Sequence, residues 1–212
     1  MKRNEETLLI DGPVGAIETI VENPGAPRGI ALVAHPHPLF GGTHTNKVTQ
    51  TLARTFLRLG YAALRPNFRG VGQSAGTHDD GRGECADLLA VIAEAKRRFG
   101  DLPVALAGFS FGAYVQTRVA QQLSDSGHPA QRLVLVGTAA GHVEGSRQYA
   151  ARAVPADTLV IHGAADTTVP LANVLAWAEP LDLPVIVVPG ADHFFHRRLQ
   201  IIADIVTRAW RH

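Results

Sequence analysis

A chain of 212 residues is long enough for one substantial core, because folding at this size removes roughly 70% of the unfolded chain's surface from water. Hydrophobic residues make up 46% and charged residues 18%, the balance of an ordinary globular protein rather than a disordered or disulfide-stapled one. The formal net charge of +1, with lysines and arginines scattered along the chain, leaves no electrostatic footprint for nucleic acid or anionic lipid.

Cys85 is the only cysteine, so no intrachain disulfide forms and nothing argues for an oxidising compartment. The first residues are charged, and no apolar stretch of signal-peptide or membrane-spanning type follows, so a cytoplasmic location without membrane attachment is expected. No repeat, low-complexity tract or long linker divides the sequence, which reads as a single domain over residues 1–212.

Residues 7–11 and 16–22 read as two short strands joined at Gly12-Pro13, a hairpin for the edge of a sheet, and Asn23-Pro24-Gly25 ends it. Thereafter apolar runs of strand length, at 30–34, 62–67, 104–107, 133–136, 159–162 and 185–188, alternate with helical segments. The helices are expected at 45–59, 84–99, 111–123, 171–178 and 199–210. In the first of them Val48, Leu52, Phe56 and Leu59 recur at helical spacing and fall on one stripe. The strand runs, by contrast, are apolar on consecutive residues, as suits parallel strands covered on both faces. The predicted fold is therefore an α/β, doubly wound, three-layer sandwich. Its sheet is mostly parallel, with an antiparallel N-terminal edge hairpin, and ligands bind beyond the carboxyl ends of the strands. Lys96-Arg97-Arg98 closes one helix and Arg197-Arg198 lies inside another, both as solvated faces.

Across Gly108-Phe109-Ser110-Phe111-Gly112 a buried strand runs directly into a Gly-x-Ser-x-Gly turn and then a helix, the context of a nucleophile elbow. Side chains at Gly108 and Gly112 would collide with neighbouring backbone, and their absence lets Ser110 stand raised on a strained turn. A serine hydroxyl needs a base to take its proton, and the base needs a third group to hold its tautomer. Asp166 follows the strand at 159–162, and His193 follows the strand at 185–188, both at the ligand-facing edge. His193 is preferred to His196 as the base because a strand-end loop is what reaches Ser110, while Asp192 is expected to cap the final helix. The order serine, acid, histidine is not that of the chymotrypsin or subtilisin types.

An oxyanion also needs preorganised N–H donors, and Phe111, following the nucleophile, supplies the first. The second is expected from His35-Pro36-His37-Pro38-Leu39-Phe40-Gly41-Gly42, where the prolines have no N–H; His37 and Leu39 are both open. His35, His37 and His44 could in principle ligate zinc, but no carboxylate or cysteine lies near them in sequence, so neither metal nor cofactor is expected. The glycines of 69–76 lack phosphate-loop spacing and read as a structural loop shaping the pocket floor. Cys85 reads as a buried structural cysteine.

Through His35-Pro36-His37-Pro38 with Gly41-Gly42, Asn67-Phe68-Arg69-Gly70-Val71-Gly72, the elbow, His162-Gly163 with Asp166, and Asp192-His193-Phe194-Phe195, the sequence resembles the small, uncapped bacterial branch of the α/β-hydrolases over residues 28–198. It is also similar to dienelactone hydrolases in size, although those carry a cysteine where Ser110 stands. The resemblance implies a serine carboxylesterase-like activity. The segment 138–157, where lids are inserted in this fold, is too short for a helical cap, so an open, shallow pocket for short acyl esters is expected. A thioesterase, acyltransferase or peptidase would use the same three residues, and a non-catalytic binding protein would be expected to have lost one. The partner implied is a small-molecule acyl substrate, and the sequence does not fix an oligomeric state.

Overall fold

The computed structural model of the protein describes residues 4–143 and 147–210. Strands β1 (Asn4–Gly12) and β2 (Gly15–Asn23) form the antiparallel hairpin. Its two-residue turn is Pro13-Val14 rather than Gly12-Pro13, because Gly12 still pairs with Gly15. The parallel strands follow as β3 (Gly29–Ala34), β4 (Tyr61–Pro66), β5 (Val104–Phe109), β6 (Arg132–Val136), β9 (Leu159–Gly163) and β10 (Val185–Val188). The sheet runs β1-β2-β4-β3-β5-β6-β9-β10, with the hairpin at one edge. The two short strands β7 (Gly141–Val143) and β8 (Arg147–Tyr149) form a separate antiparallel pair inside the 138–157 insert, and that insert contains no helix among its described residues.

The consecutive apolar runs are explained by two cores. Ile30, Leu32, Leu106 and Leu133 face α2 (Arg82–Phe99) and α3 (Phe111–Asp125), where they meet Leu88, Val91 and Val115. Ala31, Val33, Ala105 and Val134 face α1 (Lys47–Arg58) and α5 (Leu199–Ala209), where they meet Leu52, Phe56, Ile202 and Val206. Side chains of a strand alternate between faces, so burying both faces requires an apolar residue at every position. Helix α4 (Leu171–Ala178) packs Val174 on Val160 and Val169 at the far end of the sheet. Among the described residues no helix is long and apolar enough to cross a membrane.

Helix α1 starts two residues later than the expected span 45–59, because Asn46 is the cap: its Oδ1 accepts from the N–H groups of Val48 and Thr49. Two expectations fail at the other end of the chain. Arg197-Arg198 lies before α5, not inside it, and Asp192 does not cap that helix. Phe195 and Arg197 take positive φ of 51° and 59°, which no helix tolerates, so the helical path opens only at Leu199. Asp192 instead accepts from the N–H of His196 at 3.0 Å and pairs with its Nδ1, closing a surface turn that leaves His196 outside the cleft.

Candidate active site

Ser110 joins β5 to α3 with φ 56° and ψ −118°, a conformation ordinarily left to glycine. The strain is held from both sides. Its N–H donates to Val136 O at 2.9 Å, and its carbonyl accepts from Tyr114 and Ala139. A Cβ on Gly108 would lie 2.6 Å from Ala113 N, and one on Gly112 would lie 2.4 Å from His35 O, so each glycine is fixed by close backbone approach.

The acid and base arrive on neighbouring strands. Asp166 ends the turn after β9, and its Oδ1 accepts from the N–H groups of Thr168 and Val169 at 2.9 and 2.8 Å. The loops after β9 and β10 touch: Ala164 and Ala165 donate to the carbonyls of Val188 and Ala191, and a Cβ on Gly163 would meet Ala191 O at 2.4 Å. That contact sets His193 beside Asp166. His193 Nδ1 lies 2.7 Å from Asp166 Oδ2, and its Nε2 lies 3.0 Å from Ser110 Oγ. A carboxylate only accepts, so Nδ1 carries the proton and Nε2 is free to accept from the serine hydroxyl. Phe109 and Phe194 flank the imidazole, with ring centroids 4.9 and 5.2 Å away. Buried His162 donates from Nε2 to Val169 O at 2.9 Å and approaches Asp166 Oδ2 at 3.5 Å; burial pushes its pKa down, which keeps it neutral.

Of the two candidate second donors, the structure commits the Leu39 N–H to His37 Nδ1 at 3.2 Å. Phe40, Gly41 and Gly42 donate to carbonyls of their own turn, a 3-10 turn over Pro38–Phe40. The His37 N–H has no protein acceptor among the described residues, and neither has that of Phe111, the first residue of α3. The His37 ring packs on Phe40, His78 and Phe111, and burial beside these neighbours pushes its pKa down to about 4. His78 is held in turn by Glu84, a fully buried carboxylate that also accepts from the N–H groups of Asp79 and Gly81.

His35 is not free to ligate. Phe68 N–H donates to its Nε2 at 2.9 Å and its Nδ1 donates to Pro36 O at 2.6 Å; burial drives its pKa down to about 3. No group of three or more His, Cys, Asp or Glu among the described residues is placed to hold a metal ion. The 69–76 loop is anchored by Arg69 against Asp87 and Gly83 O, which holds it away from the cleft over Ser110, so it does not form the pocket floor expected of it. Cys85 is buried and its thiol is pushed up to about 11.

A cleft of about 730 Å³ opens over Ser110 and His193, lined by Pro36, His37, Phe40 and Phe194 among others. The Pro38–Phe40 turn and the β7–β8 hairpin raise walls that the short insert does not announce. Arg147 on β8 reaches the cleft and stacks over the Phe40 ring at 4.2 Å; Phe40 lies in the loop the sequence singles out, whereas nothing in the sequence marks Arg147.

A family model described as a thioesterase domain matches residues 27–181. An α/β serine hydrolase homologue from Coxiella burnetii superposes with a TM-score of 0.83 at 36% identity, covering 97% of each chain. A Xanthomonas campestris protein described as an α/β serine hydrolase without lid superposes with a TM-score of 0.85 at 36% identity, covering 98% of this chain and 94% of that one. An uncharacterised protein of Rickettsia prowazekii is 38% identical over 125 residues, which cover 57% of this chain and 52% of the relative; the chain thus spans about half the length of that curated relative. The sheet order, the strained serine after β5 and the absence of a helical insert after β6 among the described residues agree with these matches, and the chain belongs to the thioesterase-domain family of lid-less α/β serine hydrolases.

Proposed function

We propose that the protein hydrolyses short-chain acyl esters through an acyl-enzyme on Ser110. The supporting observation is the single hydrogen-bonded line from Ser110 Oγ through His193 to Asp166, at 3.0 and 2.7 Å. Ser110 attacks the carbonyl carbon as His193 Nε2 takes the hydroxyl proton, and Asp166 steadies the imidazolium that forms. The tetrahedral oxyanion is received by the N–H groups of Phe111 and His37, for neither of which an acceptor is found among the described residues. Collapse expels the alcohol with the proton from His193, and water, activated by the same imidazole, releases the acid. Without a helical cap there is little to enclose a long acyl chain, which favours short ones.

Ser110→Ala should lower kcat by up to roughly a millionfold without loss of fold. Across p-nitrophenyl esters from acetate to palmitate, kcat/KM should fall with chain length; a rise, or retained activity in S110A, overturns the reading. A second reading, thioester hydrolysis, is favoured by the family match over residues 27–181. Matched ester and thioester pairs of one acyl group separate the two. We place the activity in the cytoplasm on the lone, buried Cys85, a location that cell fractionation tests.

A further inference from the structure

The side chain of Asp166 is wholly closed to solvent, and both of its oxygens are engaged. Oδ1 accepts from the N–H groups of Thr168 and Val169, and Oδ2 accepts from His193 Nδ1 at 2.7 Å. A fourth nitrogen approaches the same carboxylate: His162 Nε2 stands 3.5 Å from Oδ2. That is long for a hydrogen bond of its own, and the Nε2 proton is given to Val169 O at 2.9 Å. In a site closed to water, however, an N–H dipole acts on a carboxylate at this range with little screening.

The mechanism makes no use of His162, and stability does not account for it either. Its side chain is fully buried, and its Nδ1 finds no hydrogen-bond partner among the described residues. Side chains alternate along β9, which puts His162 on the face of Val160, where Val169 and Val174 pack. There a leucine would fill space without burying an unpaired acceptor, which costs stability. What the imidazole adds is a single N–H, and its state is fixed. Burial pushes the pKa down, so the ring is neutral, and Val169 O, which only accepts, places the proton on Nε2. The 166–169 turn is thereby closed twice, with the Val169 N–H given to Asp166 Oδ1 and the Val169 carbonyl taken by His162.

We infer that His162 is a positioning residue for the proton relay: its Nε2–H, between Val169 O and Asp166 Oδ2, fixes the carboxylate and draws off part of the charge that His193 faces. The inference rests on Asp166 and His193 serving Ser110. No proton leaves His162 during turnover; it sets how strongly Asp166 holds the imidazolium.

The test follows the acid limb of the kcat/KM profile for p-nitrophenyl acetate, which reads loss of the free base. In His162→Leu more of the carboxylate charge falls on His193, so the limb should move toward higher pH by about half to one pH unit. KM should be unchanged, because His162 does not line the cleft. His162→Gln, whose amide returns an N–H at about the reach of Nε2, should hold the limb near its original place. The other ionisable groups around His193 are Ser110 from the elbow, His37 and Arg147 from across the cleft, and the Asp192–His196 pair on its own loop; Gly137, after β6, brings no charge. His196→Gln is the control, since that exposed ring lies outside the cleft and should leave the limb in place.

If His162 only ties Val169 to β9, the leucine variant loses Tm and kcat while the limb stays, which overturns the inference. So does a limb that moves down, or a glutamine variant that moves as far as the leucine one. A second measurement uses the unaltered protein and no substrate. In a nitrogen–proton correlation spectrum His162 should carry its proton on Nε2, and that signal should move as His193 titrates. A proton on Nδ1, or a signal indifferent to His193, overturns the inference even where His162→Leu does not fold. These signals need no turnover, so their presence without ester hydrolysis counts against the Ser110 reading alone.

Discussion

Arg69 and Asp87 lock the loop after β4 to the start of α2. Arg69 donates from Nε and Nη2 to the two oxygens of Asp87, each at 2.8 Å, and Nη2 also reaches Gly83 O at 2.9 Å. Both side chains are buried, so Asp87→Ala strands a guanidinium without its counter-charge in a site water does not readily reach. Breaking a buried pair from one side costs about 3–5 kcal/mol. At about 2–4 °C per kcal/mol for a chain of this size, Tm should fall by roughly 6–20 °C. Replacing both partners, as Arg69→Met with Asp87→Leu, removes the stranded charge; Gly83 O keeps its helical partner, so the double variant should regain most of the loss. Urea unfolding at pH 7, with the slope m unchanged across the set, provides the free energies for the cycle. A loss below about 1 kcal/mol for Asp87→Ala, or a double variant as unstable as the sum of the singles, would refute the claim that this pair acts as a mutually dependent unit.

Other expectations follow from the same geometry. His35 is held neutral with a pKa of about 3, below its unfolded value of 6.5, so its contribution to stability is complete above pH 6.5 and is lost as pH falls toward 3. Between pH 6.5 and 5 this amounts to about 2 kcal/mol, and His35→Gln, which preserves both hydrogen bonds without titrating, should flatten that part of the urea-unfolding profile. An unchanged slope in the variant would exclude His35 as the source. Gly112→Ala places a Cβ 2.4 Å from His35 O and should cost about 1–3 kcal/mol by forcing α3 away from β3, read as a fall in both Tm and kcat. Cys85, with its thiol raised to about 11, should resist iodoacetamide at pH 8 in the folded protein and react on unfolding. Rapid labelling of the native state would show that the helix start at Cys85 opens freely.

The layers of the fold were legible because burial on both faces leaves an unmistakable trace: Ile30 to Ala34 and Leu133 to Val136 have no polar position to confuse with an exposed strand. The elbow was legible for a related reason, since Gly108 and Gly112 are demanded by backbone contacts that no other residue survives. The β7–β8 pair was not, because strands of three residues are too short to display a period. Arg197-Arg198 was placed inside a helix because Phe195 and Arg197 adopt left-handed backbone, which nothing about a phenylalanine or an arginine announces; the start of α5 at Leu199 was read correctly. Asp192 was read as a cap of α5 for the same reason, the turn it closes being set by those two residues. That the Leu39 N–H is taken up by the His37 imidazole was not legible, since a side chain that bonds the N–H two residues on leaves no mark in the sequence.

The hydrogen-bonded line is assembled from the ends of β5, β9 and β10, while the crossover that carries β7 and β8 leaves from β6 and contributes none of its three members. The hydrogen-bonded line and the wall of the cleft are therefore encoded in separable stretches of chain. A breeder of new variants could transplant the crossover between cousins, shorten it or swell it into a roof, and reshape the cleft without moving the three side chains beneath.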